Sequence, residues 1–193
     1  MSRLLWLAAL TFGAMLGPMQ GAVAQEHAPE AAQQDAAASD ATAEATHQVS
    51  QLISQKFGVA RAKAEQISAA VMSAASKYSL PPALLLAIIS VESRFKEKAR
   101  GANGATGLMQ VVPAAHKQLV HHIDLTEATA NIEAGSAILH GYVQSAQGDV
   151  GAALKSYGGS KAYAEKISLR AKAFAPQFGS GVDADSNAET TGD

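Results

Sequence analysis

The chain has 193 residues, 48% of them hydrophobic, 17% charged and 5% aromatic, with 42 alanines and no cysteine. Alanine favours helix, and a mean hydropathy near zero argues against a polytopic membrane protein. The lack of cysteine excludes disulfide scaffolds, thiol catalysis and Cys-ligated zinc or iron–sulfur centres.

Residues 1–24 read as a secretory signal peptide. Arg3 supplies a positive start, and Leu4 to Leu16 is apolar apart from Thr11 and Gly13. Gly17-Pro18 ends the run, and Ala22-Val23-Ala24 is an A-x-A cleavage site. The run is short for a membrane span. The mature chain is therefore expected to start near Gln25, to be exported to the periplasm and to keep no stable membrane anchor. Residues 25–46 hold five acids, no Lys or Arg and no large aliphatic side chain. They read as an acidic, Ala-rich disordered linker. Residues 179–193, with four acids and no base, read as a disordered acidic tail.

These flanks hide a charge asymmetry. The net charge is −2, yet residues 47–178 hold fourteen Lys and Arg against eight Asp and Glu, about +6. A basic exported domain suits an anionic polymer, such as cell-wall material with lactyl and peptide carboxylates. Nucleic acid is not an expected partner in that compartment.

The span 47–178 reads as helical throughout, because alternating β-type runs are absent. Val49, Leu52 and Ile53 open a short helix ending near Phe57-Gly58. A second runs from about Val59 to Tyr78 and stops at Leu80-Pro81-Pro82. The third, Pro82 to Ser93, is the most apolar stretch and the expected central helix. A small-residue loop follows from Gly101 to Gly107, then Leu108-Met109-Gln110-Val111-Val112, then a helix expected to start at Pro113. Asp124-Leu125-Thr126 reads as the cap of a helix carrying Ile132, Ile138 and Tyr142. Asp149 reads as the cap of a short helix ending at Tyr157. Ser160 reads as the cap of the last, which carries Tyr163, Ile167 and Phe174 on its apolar face.

Glu92 stands out in this pattern. Leu85, Ile88, Ile89 and Glu92 fall at i, i+3, i+4 and i+7 and share one face of the most apolar helix. Glu92 also lies in the last turn, where the helix dipole disfavours a negative charge. Both effects raise its pKa, as a general acid for glycoside cleavage requires. A glycine-rich loop lets backbone approach a ligand, Gln110 offers a donor and an acceptor, and Tyr157 is placed to steady the acid by hydrogen bonding.

Four segments in order, VESRF at 91–95, GATGLMQVVP at 104–113, ANIEAGSAIL at 130–139 and AALKSYGG at 152–159, resemble the SLT-type (soluble lytic transglycosylase) domain. The resemblance covers roughly residues 48 to 172. It implies an all-α, goose-lysozyme-like fold and an enzyme, a lytic transglycosylase acting on peptidoglycan glycan strands without a cofactor or metal. It implies Glu92 as the single acid/base with Ser93 as its motif partner. Ser93, Gly107, Met109, Gln110 and Tyr157 would bind substrate, with Tyr157 matching the aromatic of the family's Ala-Tyr-Asn signature. In the implied reaction the β-1,4 bond between N-acetylmuramic acid and N-acetylglucosamine is cleaved without water, leaving a 1,6-anhydro end. The sequence departs from the family pattern at Lys96-Glu97 (usually Asn-Pro), Gly101 (often Ser), Ser156 (Ala) and Gly158 (Asn).

Carboxylate counting bears on the mechanism, because ordinary glycosidases need two. Glu97 lies five residues beyond Glu92, about 140° round a continued helix. Asp124 is reachable only by tertiary contact. A hydrolase would need one of them beside Glu92, and a wall-binding module without activity is the other alternative. His116, His121 and His122 lack metal-ligand spacing, and the 101–107 loop lacks the strand and Gly-Lys-Ser/Thr ending of a phosphate loop. A secretion-system accessory role is compatible with the enzyme reading.

Overall fold

The structure, a computed structural model, describes residues 28–178, with side chains from Ala37 onward. The expected signal peptide and the 179–193 tail lie outside the described residues. The described helices are α1 (Ala28–Phe57), α2 (Arg61–Tyr78), α3 (Pro82–Glu92), α4 (Lys117–Val120), α5 (Ala128–Ser145), α6 (Val150–Gly158) and α7 (Lys161–Phe174). Two 3₁₀ turns, Ala102–Gly104 and Ala175–Phe178, complete the set. The fold is all-α. Pairing of the β type is confined, among the described residues, to the single bridges Arg100–Thr106 and Thr106–Val111. None of these helices is long and apolar enough to cross a membrane.

Helix α3 is the most buried of the helices, as its composition predicts. Pro82 occupies its first turn, where a missing N–H costs nothing, and every residue from Leu84 to Ser90 is buried. It packs against α7 and α2, α2 packs against α5, and α6 bridges α5 and α7. Leu85, Ile88 and Ile89 meet Ile132, Leu154 and Ile167 in one continuous core. Each such fully buried side chain contributes about 2 kcal/mol of hydrophobic stabilisation. Helix α2 stops because Ser79 turns left-handed at φ 52°, which lets its N–H close on the carbonyls of Ala75 and Ser76.

Three expectations are corrected. Helix α1 begins at Ala28, upstream of the start expected near Val49. Nine alanines in residues 28–46 supply helix propensity, and further along the helix Val49 and Ile53 are buried. Pro113 does not open a helix. Residues 113–116 make a turn closed by the His116 N–H on the Pro113 carbonyl (3.2 Å), and α4 is a single turn beyond it. Asp124 does not cap α5. Its carboxylate accepts from the Thr126 N–H (2.9 Å) and hydroxyl (2.6 Å), while Glu127 is the cap and accepts from the Ala130 N–H at 2.7 Å. Asp149 and Ser160 cap α6 and α7 as expected, accepting from Ala152 and Tyr163 N–H groups.

Candidate active site

Glu92 is the last residue of α3, and the chain leaves the helix abruptly after it. The Ser93 N–H and hydroxyl both donate to the Ile89 carbonyl at 3.1 Å, so the Ser93 side chain is enclosed and closes the helix end. Arg94 and Phe95 then take left-handed conformations, φ 51° and 61°. Such conformations cost bulky residues about 1–3 kcal/mol each and need external support. Burial of Phe95 against the Phe57 ring, 4.5 Å away, supplies it. The result is an acid half-buried at the end of the most buried helix.

Its partner comes from α7. The Tyr163 hydroxyl donates to Glu92 Oε1 at 2.6 Å. Burial raises the Glu92 pKa above the ordinary carboxylate value, and the Tyr163 hydrogen bond and the Lys166 charge pull it partly back. Burial, with the nearby Glu92 charge, pushes the Tyr163 hydroxyl far up, so it stays a donor. The sequence reading gave this steadying role to Tyr157, and the structure corrects it. Tyr157 donates instead to the Met109 carbonyl at 2.9 Å, and its ring meets the edge of Tyr142 at 6.4 Å. Tyr163 was legible only as part of an apolar face. The signal that could have found it is the Ser160 cap, which holds the Tyr163 N–H at 3.1 Å and fixes the tyrosine in the first turn of α7.

The loop between α3 and α4 is organised from within by one residue. Asn131 is fully buried on α5; its Oδ1 accepts from the Met109 N–H (2.8 Å), and its Nδ2 donates to the Thr106 and Leu125 carbonyls (2.8 and 2.9 Å). Gly107, at φ 80°, passes so close that a Cβ would lie 2.1 Å from Asn131 Nδ2. Gly107 is therefore required for the clamp. Gln110 turns into its own loop, its amide donating to the carbonyls of Gly107 (2.9 Å) and Ala99 (3.3 Å). A Cβ on Gly101 would lie 2.2 Å from Gln110 Oε1, so glycine there makes room for that side chain. Met109 is fully buried, so its side chain does not face a cleft as expected; its backbone links the loop to Asn131 and Tyr157.

The two other acids considered for the site are committed elsewhere. Glu97 pairs with Lys63 (2.8 Å) and accepts from the Ala128 N–H (3.2 Å) at the start of α5. Asp124 is held by Thr126, whose hydrogen bonds keep its carboxyl below the usual range. The groups that set the Glu92 pKa are burial, Tyr163 and Lys166, none of them an acid. A groove of about 640 Å³ lies along α6 and α7, but its acids are also spent: Asp149 caps α6, and Glu165 pairs with Lys161 at 3.5 Å. His116 packs edge-on to Tyr142, and the rings of His121 and His122 lie 3.7 Å apart.

A helical domain with its acid at the end of the central helix is lysozyme-like in architecture. The family model of the transglycosylase SLT domain matches residues 69–175, and the chain belongs to that family. It is similar to a transglycosylase of Enterobacteria phage PRD1, 34% identical over 87 residues. That match takes in 45% of this chain and 32% of the relative, so the chain spans about a third of that protein's length. Among solved structures, it resembles an inactive glutamate-to-glutamine mutant of the lytic transglycosylase Slt from Pseudomonas aeruginosa. The TM-score is 0.52 and the identity 21%, over 56% of this chain and 24% of that one. That likeness is one of fold.

Proposed function

We propose that this protein is an exported peptidoglycan lytic transglycosylase with Glu92 as its single acid and base. The observation that carries the reading is the isolation of Glu92: it is half-buried, its pKa is raised, it is held by Tyr163, and both other candidate acids are tied to other partners. The PRD1 relative is named a transglycosylase, and the Pseudomonas structure is of a mutant made inactive by losing one glutamate, which agrees with an essential glutamate.

The chemistry follows from one carboxyl. Protonated Glu92 donates its proton to the glycosidic oxygen, and the N-acetylglucosamine leaves as an alcohol. The N-acetyl oxygen of the muramic acid bonds to the anomeric carbon. The Glu92 carboxylate then takes the proton of the sugar's 6-hydroxyl, whose oxygen displaces the acetyl oxygen. The 1,6-anhydro ring closes, no water is consumed, and Glu92 is protonated again. The raised pKa supplies the acid for the first half. The Tyr163 hydrogen bond stabilises the carboxylate between the halves. The loop of residues 101–110 would present backbone groups to the sugars, with Ser93, Gly107, Met109 and Gln110 shaping it and Tyr157 bracing it. Export rests on the signal-peptide reading of residues 1–24.

The test is digestion of bacterial sacculi by the full chain and by Glu92→Gln, with mass spectrometry of the released fragments. The expected result is 1,6-anhydromuramoyl ends from the wild type and a loss of at least about 100-fold in the variant. Reducing ends would show a hydrolase. Sacculus binding without release by either protein would show a binding module.

A further inference from the structure

We propose that Gly158 is a positioning residue for the acid: the bare backbone at 158 makes the space in which the Tyr163 ring must lie to reach Glu92. The inference deepens the proposed function in its activity arm and rests on that reading there. Its structural arm stands alone.

Helices α6 and α7 are joined by only Gly159 and Ser160. Gly159 turns left-handed at φ 77° and sends the chain straight back. Ser160 fixes the Tyr163 backbone through the N-cap bond. The tyrosine ring is thereby folded onto the end of α6. A Cβ on Gly158 would lie 2.2, 2.3 and 2.4 Å from Tyr163 Cδ1, Cγ and Cε1. No real Cβ sits so close to a ring, so ring and side chain exclude each other. Gly158 is the last residue of α6 and is not among the residues with positive φ. Its backbone therefore accepts any residue, and helix propensity alone would favour alanine. What alanine would disturb is the ring, and through it the hydrogen bond to Glu92 Oε1. The position is one where the chain departs from its family pattern, with Gly in place of Asn.

The experiment follows the Glu92 carboxyl by NMR titration in glutamate-labelled protein, for the wild type, Gly158→Ala, Tyr163→Phe and the double variant. Gly141→Ala is the control, because a Cβ there meets nothing within 4 Å. The carboxyl is governed by burial, which raises its pKa, and by Tyr163 and Lys166, which lower it; the substitution at 158 acts on the Tyr163 ring. Gly158→Ala is expected to raise the Glu92 pKa in the manner of Tyr163→Phe, since both remove the donor, while Gly141→Ala leaves it in place. Sacculus cleavage should fall roughly 10- to 100-fold in either single variant, the worth of a hydrogen bond to a charged group. The double variant should be no slower than Tyr163→Phe alone. A wild-type titration in Gly158→Ala, or losses that multiply in the double variant, overturns the proposal. If Gly158→Ala does not fold, Gly158→Ala with Tyr163→Ala decides: melting like Tyr163→Ala supports the proposal, and continued unfolding overturns it. A wild type that releases no fragments sinks the proposed function, while the titration still reads the coupling.

Discussion

Glu92 is expensive where it stands, and the cost has a sign that can be measured. Its folded pKa is raised by burial above the ordinary value near 4.5. The native state therefore holds its proton more tightly than the unfolded chain does. Stability from this group is complete below the unfolded pKa and is lost as pH rises through the folded one. Glutamine keeps the shape and never ionises. Glu92→Gln should thus melt at a higher temperature than wild type at pH 7, and the gap should close as pH falls toward 4. Thermal melts across pH 4 to 8 check this. An equal or lower melting temperature at pH 7 would mean that Tyr163 and Lys166 fully offset the burial. The sequence already pointed to Glu92, because a period of 3.6 puts an acid on an otherwise apolar face. It could not separate Tyr157 from Tyr163. Both are aromatics near helix ends, and only the tertiary path of a two-residue connector decides which hydroxyl reaches the acid.

At the scale of elements, the helices follow from local rules and the loop does not. Pro82 and the caps Asp149 and Ser160 mark their helices in the sequence, and the structure agrees. The start of α1 and the place of Asp124 were misread because alanine propensity and acidic solvation compete in one stretch, and because Asp serves turns as well as caps. The 101–110 loop takes its form from Asn131, about twenty residues away on another element, and no local pattern encodes that. Its dependence on one amide yields a prediction. Asn131→Ala strands the Met109 N–H and the Thr106 and Leu125 carbonyls in a buried place and should cost about 3 kcal/mol. Asn131→Asp keeps the acceptor but turns an oxygen toward two carbonyls, and should cost more at pH 7 than alanine does. Urea unfolding of the two variants measures both. An aspartate variant as stable as wild type would show that the clamp does not hold the loop.

For the whole molecule, charge is the property that neither a single residue nor an element carries. The basic 47–178 span, about +6, lies between flanks holding nine acids. Exposed bases at Arg94, Lys96, Lys155 and Lys166 belong to the same segments as the candidate site or to those flanking it. The wall polymer proposed as substrate carries carboxylates, so the encounter should be driven in part by this field. Exposed charges are screened over about 10 Å at 0.1 M salt and about 3 Å at 1 M. Binding of the full chain to sacculi, measured with Glu92→Gln so that the polymer stays intact, should therefore weaken several-fold between about 0.05 and 0.5 M salt. The acidic flanks are expected to compete for the same field. Replacing Asp183, Asp185, Glu189 and Asp193 with their amides should strengthen binding at low salt and make no difference at high salt. Pelleting assays read both effects. Binding indifferent to salt would place recognition in hydrogen bonds and stacking at the cleft, and would leave the basic surface as a matter of solubility alone.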